Sequence, residues 1–138
     1  MQAASQSEPV SRAQLWAGRA MSALIILFML FDGVIKLPPL DIVTQTSAQM
    51  GLPADPGFAR LLGVIGLIST ALYALPRTSI LGAILLTGYM GGAIATHLRI
   101  GSPLFSHTLF GVYLGILLWG GLWLRDPRLR ALIPFSDR

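Results

Sequence analysis

Asp32, Lys36, His97, Arg99 and His107 are the residues of this sequence whose types and spacing could do chemistry. Asp32 and Lys36 stand four apart, so on a helix a carboxylate lies one turn before an ammonium, the favourable order for an ion pair. Both fall at the end of a long apolar run, Trp16 to Leu37. Either charge alone in hydrocarbon would cost several kcal/mol, so the two are expected to pair and to face protein rather than lipid. Such a pair either orients its helix, with the Lys36 stem reaching outward to water, or serves as a ligand or proton site. His97, Arg99 and His107 lie within one short segment, HLRIGSPLFSH. Two imidazoles that titrate near neutral pH, a guanidinium, an ammonium and a carboxylate could together bind an anion, or a quinone whose carbonyls accept hydrogen bonds. Paired histidines could also ligate a metal or haem. A spacing of ten across a turn matches no specific metal motif, so no metal ligand is assigned, and the residues suit quinone better than haem. Tyr89, seven residues before Thr96, either extends this cluster toward mid-membrane or is a buried tyrosine bonded to a neighbouring helix.

The elements that must position these residues are read from hydropathy. The chain is 138 residues, 54% hydrophobic and only 12% charged, too little polar surface for a soluble globule. A hydrocarbon core of ~30 Å takes about 20 mostly apolar residues per helix. Four runs of that kind are present: Trp16–Leu37, Phe58–Pro76, Thr78–Leu98 and His107–Leu124. The second and third are separated only by Pro76 and Arg77, which forces an antiparallel hairpin. The expected fold is all-α, a four-transmembrane-helix up-down bundle, because a backbone in lipid must satisfy its hydrogen bonds within each segment. Between the first two spans, Asp41 is placed to cap a short amphipathic helix over Ile42–Met50, with Gly51 as its stop, lying along the membrane interface. Glycines at 88 and 92, and at 111 and 115, are spaced to let helix backbones approach. Residues 1–15 read as a polar tail, 16–134 as the membrane domain and 135–138 as a C-terminal tail. The basic start followed by an apolar run is read as a retained span, since no small-x-small cleavage site follows.

Charge sets the expected orientation. With four spans, Arg12, Arg19, Arg77, Arg125, Arg128, Arg130 and Arg138 fall on one side and Lys36, Arg60 and Arg99 on the other, which predicts cytoplasmic N- and C-termini. Trp16, Trp119 and Trp123 are expected near that inner interface. The absence of cysteine removes disulfide, thiolate-metal and dithiol redox chemistry. No phosphate-binding glycine loop, nucleophile elbow or HExxH motif is present, so no catalytic residue is assigned. The arginines flank membrane spans rather than forming a base-reading face, which argues against nucleic acid as a partner.

The sequence resembles the DoxX-like family of small four-helix integral membrane proteins. The resemblance rests on FDGVIKL at 31–37, on LPRTSILGAILLTGYMGGAIATHLRIGSPLFSH at 75–107, and on LLWGGLWLRDPRLRALIP at 117–134. With MGLP at 50–53 and the LLGVIGL run, it covers nearly all of residues 16–134. It implies a polytopic inner-membrane protein of bacterial type, in a family named for a small subunit associated with a quinone-linked terminal oxidase and thiosulfate oxidation. Where many relatives carry an acid in the second span, this chain has Gly66. The reading that follows is an accessory or quinone-binding component linked to respiratory redox chemistry, with Asp32, Lys36, His97, Arg99 and His107 as its polar cluster. The alternatives are a non-catalytic structural partner of a larger membrane complex or a homo-oligomer, docking through glycine faces, and a carrier of protons or small solutes.

Overall fold

A computed structural model describes residues 10–38 and 40–136. Residues 1–9, Pro39, Asp137 and Arg138, which include most of the expected N-terminal tail and part of the C-terminal one, lie outside the described residues. Four long apolar helices carry the fold: α1 (Arg12–Val34), α3 (Pro56–Ala74), α4 (Ser79–Arg99) and α5 (Phe110–Arg125). A short α2 (Asp41–Gln49) bridges the first two, and α6 (Pro127–Arg130) ends the chain; there is no strand among the described residues. Each long helix packs against the next in sequence, and α5 returns to α1, closing a four-membered ring. All four spans, the last running from Leu104 to Arg125, are long and apolar enough to cross a membrane.

The ends of these helices follow from local chemistry. Helix α1 starts at Arg12, earlier than the apolar run, because Ser11 and Gln14 form a reciprocal capping box: the Ser11 hydroxyl accepts from the Gln14 N–H, and the Gln14 side chain accepts from the Ser11 N–H. Residues 12–15, read with the polar tail, are therefore helical. Asp41 is not the cap of α2. Leu40 occupies that position with extended backbone, and Asp41 begins the helix, where its charge still complements the helix dipole. Gly51 stops the segment as expected, at φ +71°, a left-handed conformation that favours glycine. Asp55 caps α3 through the Gly57 N–H, with Pro56 at the first helical position. The fourth span differs from its expected start at His107: a π-helical turn over Leu104–Thr108 precedes α5, which begins at Phe110.

The inside-outside pattern is inverted relative to a soluble bundle. Large aliphatic side chains point outward, with Leu27 64% and Ile68 56% exposed, as lipid contact requires. Small hydroxyl residues such as Ser22, Thr70 and Ser79 are buried among Ile25, Met29, Leu86 and Leu118. Their hydroxyls are satisfied locally: Thr70 donates to the Gly66 carbonyl and Ser79 to that of Tyr73. Tyr73, 1% exposed, ties three helices together. Its single phenolic proton goes to the Leu118 carbonyl at 2.8 Å, so Ser22 must be the donor in their 2.7 Å contact. No buried side-chain nitrogen or oxygen among the described residues lacks a partner.

Close backbone approach is made by other glycines than the spacing suggested. A Cβ on Gly18 would lie 2.7 Å from the Gly121 carbonyl oxygen, and one on Gly63 would lie 2.8 Å from that of Gly33. These two seams join α1 to α5 and α1 to α3. Gly82 of α4 sits directly on the Tyr73 backbone of α3. By contrast, a Cβ on Gly88, Gly92 or Gly115 would meet nothing within 4 Å, so these glycines are not packing contacts among the described residues. Gly111 does pack, against Ile94.

At the end bearing α6, Arg130 donates to the Trp123 and Leu124 carbonyls and lies 4.9 Å over the Trp123 ring, finishing α5. Asp126 caps α6, and its hydrogen bond from the Arg128 guanidinium holds its carboxyl below the usual range.

Candidate functional site

Asp32 closes the last full turns of α1, and the chain then leaves the helix at Ile35, so Lys36 sits in a turn rather than on the helix proper. It nonetheless reaches back: Lys36 Nζ donates to Asp32 Oδ2 at 2.6 Å. The same ammonium donates to the Tyr89 hydroxyl of α4 at 2.8 Å. Since that hydroxyl already accepts from lysine, its own proton is directed to Asp32 Oδ2, 3.3 Å away. Asp32, Lys36 and Tyr89 thus form a closed, electrically neutral triangle between α1 and α4. Tyr89, half-buried, is bonded to the neighbouring α1 segment as one of its expected roles required, and its hydroxyl meets Asp32 and Lys36.

His97 and His107 approach from the far end of α4 and from the π-helical turn. Their ring centroids are 5.8 Å apart at an interplanar angle of 69°. Each ring is fixed through Nδ1, His97 to the Ser102 hydroxyl at 2.9 Å and His107 to that of Ser106 at 2.7 Å. Nε2 of both is left without a partner among the described residues. The positive-φ Gly101 turns the chain sharply enough to set Ser102 back against His97.

These two groups share one cavity of about 500 Å³, of the size that holds a small molecule. Asp32, Lys36, Tyr89, His97 and His107 all line it. Its walls are otherwise mostly apolar, with Ser47 and Thr96 the further polar residues: Phe28 of α1 meets Phe110 of α5 edge-on at 5.3 Å, beside Met29, Leu62 and Leu114. Gly88 and Gly92 contribute open space on the α4 side, which is where the absence of a Cβ acts. The α2 segment closes the end of the cavity with Ser47, Met50 and Leu52.

Arg99 does not join the other four. Its guanidinium donates to the Met50 carbonyl at 2.7 Å and lies against Gly51, pinning the end of α2 beside the cavity. Arg60 does the same at the other end of the segment, donating to the Leu37 carbonyl at 3.1 Å. The five residues singled out from sequence therefore divide into four cavity-lining groups and one clamp. No group of three or more His, Cys, Asp or Glu residues able to hold a metal ion occurs among the described residues. Gly66 does not line the cavity but lies behind two residues that do: a Cβ there would sit 3.6 Å from the Tyr89 ring and 3.7 Å from Met29. Sequence reasoning did not find the roles of Met29, Phe28 and Phe110. Each is one apolar residue among many in its span, and only the ring closure of α5 onto α1 brings them together.

Four apolar spans in a closed ring, with polar side chains gathered in a cavity at one end, define a multi-pass membrane protein. The DoxX-like family profile matches residues 20–121, and the chain belongs to that family. No curated protein and no solved structure matches the chain significantly.

Proposed function

We propose that the chain is a quinone-binding component of a bacterial inner-membrane redox assembly, with both termini on the cytoplasmic side. The carrying observation is the pairing of an apolar 500 Å³ cavity with hydrogen-bond donors whose charge is already compensated. Because Asp32 neutralises Lys36 at 2.6 Å, this pair has no net charge to offer an anion or a cation. It suits a neutral, flat molecule carrying acceptors. Lys36 retains a third ammonium proton beyond those given to Asp32 and Tyr89, and the two imidazoles offer Nε2. A quinone would suit such a set: Phe28, Phe110 and Met29 would hold its ring, and lysine or imidazole would donate to its carbonyls. The residues bind and orient the headgroup and exclude water from it.

Thermal unfolding of the purified protein in mild detergent, with and without ubiquinone and menaquinone headgroup analogues, tests this reading. A ligand at 100 times its Kd stabilises by about 2.7 kcal/mol, readily seen as a rise in Tm. Tyr89→Phe and His97→Ala should each reduce the rise. No stabilisation by either quinone class would overturn the reading and leave the structural-partner alternative in its place.

A further inference from the structure

One wall separates the cavity from the outer face of the bundle between α4 and α5. Met90 and Ile94 of α4 and Gly111 of α5 line it from within, and the same three residues line a second depression of about 410 Å³ between the same two helices. That depression faces outward, where lipid would lie: Ile116, on its floor, is 61% exposed. Gly91 and Gly115 widen it, since a Cβ on either would meet nothing within 4 Å. Only the Ile94 side chain, seated on Gly111, and the flexible Met90 separate outer groove from inner cavity.

The groove offers nothing to a polar group. Its two polar side chains are occupied with each other and with backbone: Trp119 Nε1 donates to Thr87 Oγ1 at 2.8 Å, and Thr87 donates to the Ala83 carbonyl. An occupant continuous with the ligand of the cavity is therefore hydrocarbon. From Gly111 to Trp119 the groove follows α5 for about 12 Å of helix.

We infer that the ligand is a tailed amphiphile, its head held by Lys36, Tyr89 and the two histidines and its apolar chain passing between α4 and α5 at Ile94–Gly111 to lie in the outer groove. This rests on the headgroup reading above and adds to it the ligand's second half and its route: entry is sideways from the bilayer. Lipid tails are as apolar as the groove, so the chain is held by fit rather than by escape from water. Filling the groove must then weaken binding of a tailed ligand and spare a tailless one.

The experiment compares a tailless dimethoxy-methyl-benzoquinone with the same headgroup bearing a decyl chain, on the full chain in lipid nanodiscs, with each probe's concentration taken in the membrane. The variants are Gly115→Leu and Gly91→Leu, on opposite walls, so that one misfolded variant does not decide the matter. The expected result is that the decyl probe binds roughly tenfold more tightly than the tailless one to the unmodified chain. Either folded variant should erase that advantage while leaving the tailless affinity unchanged. Equal affinities for the two probes, or a decyl advantage that survives in both variants, would overturn the tail placement and leave the headgroup reading standing. Failure of both probes to bind the unmodified chain would overturn the headgroup reading itself.

Discussion

Lys36 is the residue on which the polar cluster turns, because it alone compensates Asp32. The two side chains are 19% and 25% exposed, so each has lost most of its contact with solvent. Breaking a buried pair by removing one partner typically costs 3–5 kcal/mol, whereas replacing both by neutral groups of similar size is often close to neutral. Lys36→Met should accordingly lower stability by about 3 kcal/mol, and Lys36→Met combined with Asp32→Asn should recover most of the loss. Thermal unfolding of the two single variants and the double variant in one detergent measures this. Equal loss in Lys36→Met and the double variant would show that lysine packing, not charge compensation, holds the cluster. The pair itself was legible in the sequence, since four-residue spacing and intramembrane burial both demand it. The division of labour between His97 and Arg99 was not: two residues apart at the end of α4, they diverge, His97 into the cavity and Arg99 onto the Met50 carbonyl.

At the scale of elements, glycine spacing is ambiguous in a way that only packing resolves. Gly88 and Gly92 lie on one face of α4 at four-residue spacing, yet that face looks into the cavity. The seams that do bring backbones together use one glycine from each helix, Gly18 with Gly121 and Gly33 with Gly63, and such pairs have no signature within a single span. The α3–α4 hairpin was legible because Pro76 and Arg77 leave no other connection, and at Gly82 its two helices come into backbone contact. Gly82→Ala forces a methyl group into the Tyr73 backbone and should cost about 3 kcal/mol, the upper end of overpacking penalties. Gly92→Ala, with open space around it, should leave stability within about 0.5 kcal/mol, or raise it through better helix propensity. Unfolding of both variants side by side checks the contrast, and equal effects would show that α3 and α4 do not meet at Gly82.

The whole molecule is polarised from end to end. The described chain places Arg12, Arg19, Arg77, Arg125, Arg128 and Arg130 at the end formed by the start of α1, the α3–α4 turn and α6, with Asp126 the carboxylate among them. That these segments share one end is fixed by contact: Arg130 reaches Gln14 at 3.4 Å, Gly18 lies against Gly121, and Tyr73, just before the α3–α4 turn, meets Ser22 of α1 at 2.7 Å. The opposite end carries the cavity, with Lys36, Arg60 and Arg99 beside Asp32, Asp41 and Asp55. Basic residues close to span ends are retained on the cytoplasmic side, so six against three supports the proposed orientation, in which the cavity end faces outward. The cations at that end are also less free to bias insertion, because Lys36 is paired with Asp32 and both arginines are bound to backbone carbonyls. The chain contains no cysteine, so a single introduced thiol reports its side without background. Gln45→Cys in α2 and Ser136→Cys beyond α6 are both at exposed positions. In bacterial spheroplasts, a membrane-impermeant maleimide should label Gln45→Cys in intact preparations and Ser136→Cys only after the membrane is opened. The reverse pattern would put the cavity on the cytoplasmic side, and a ligand headgroup would then exchange protons with the cytoplasm rather than with the space outside.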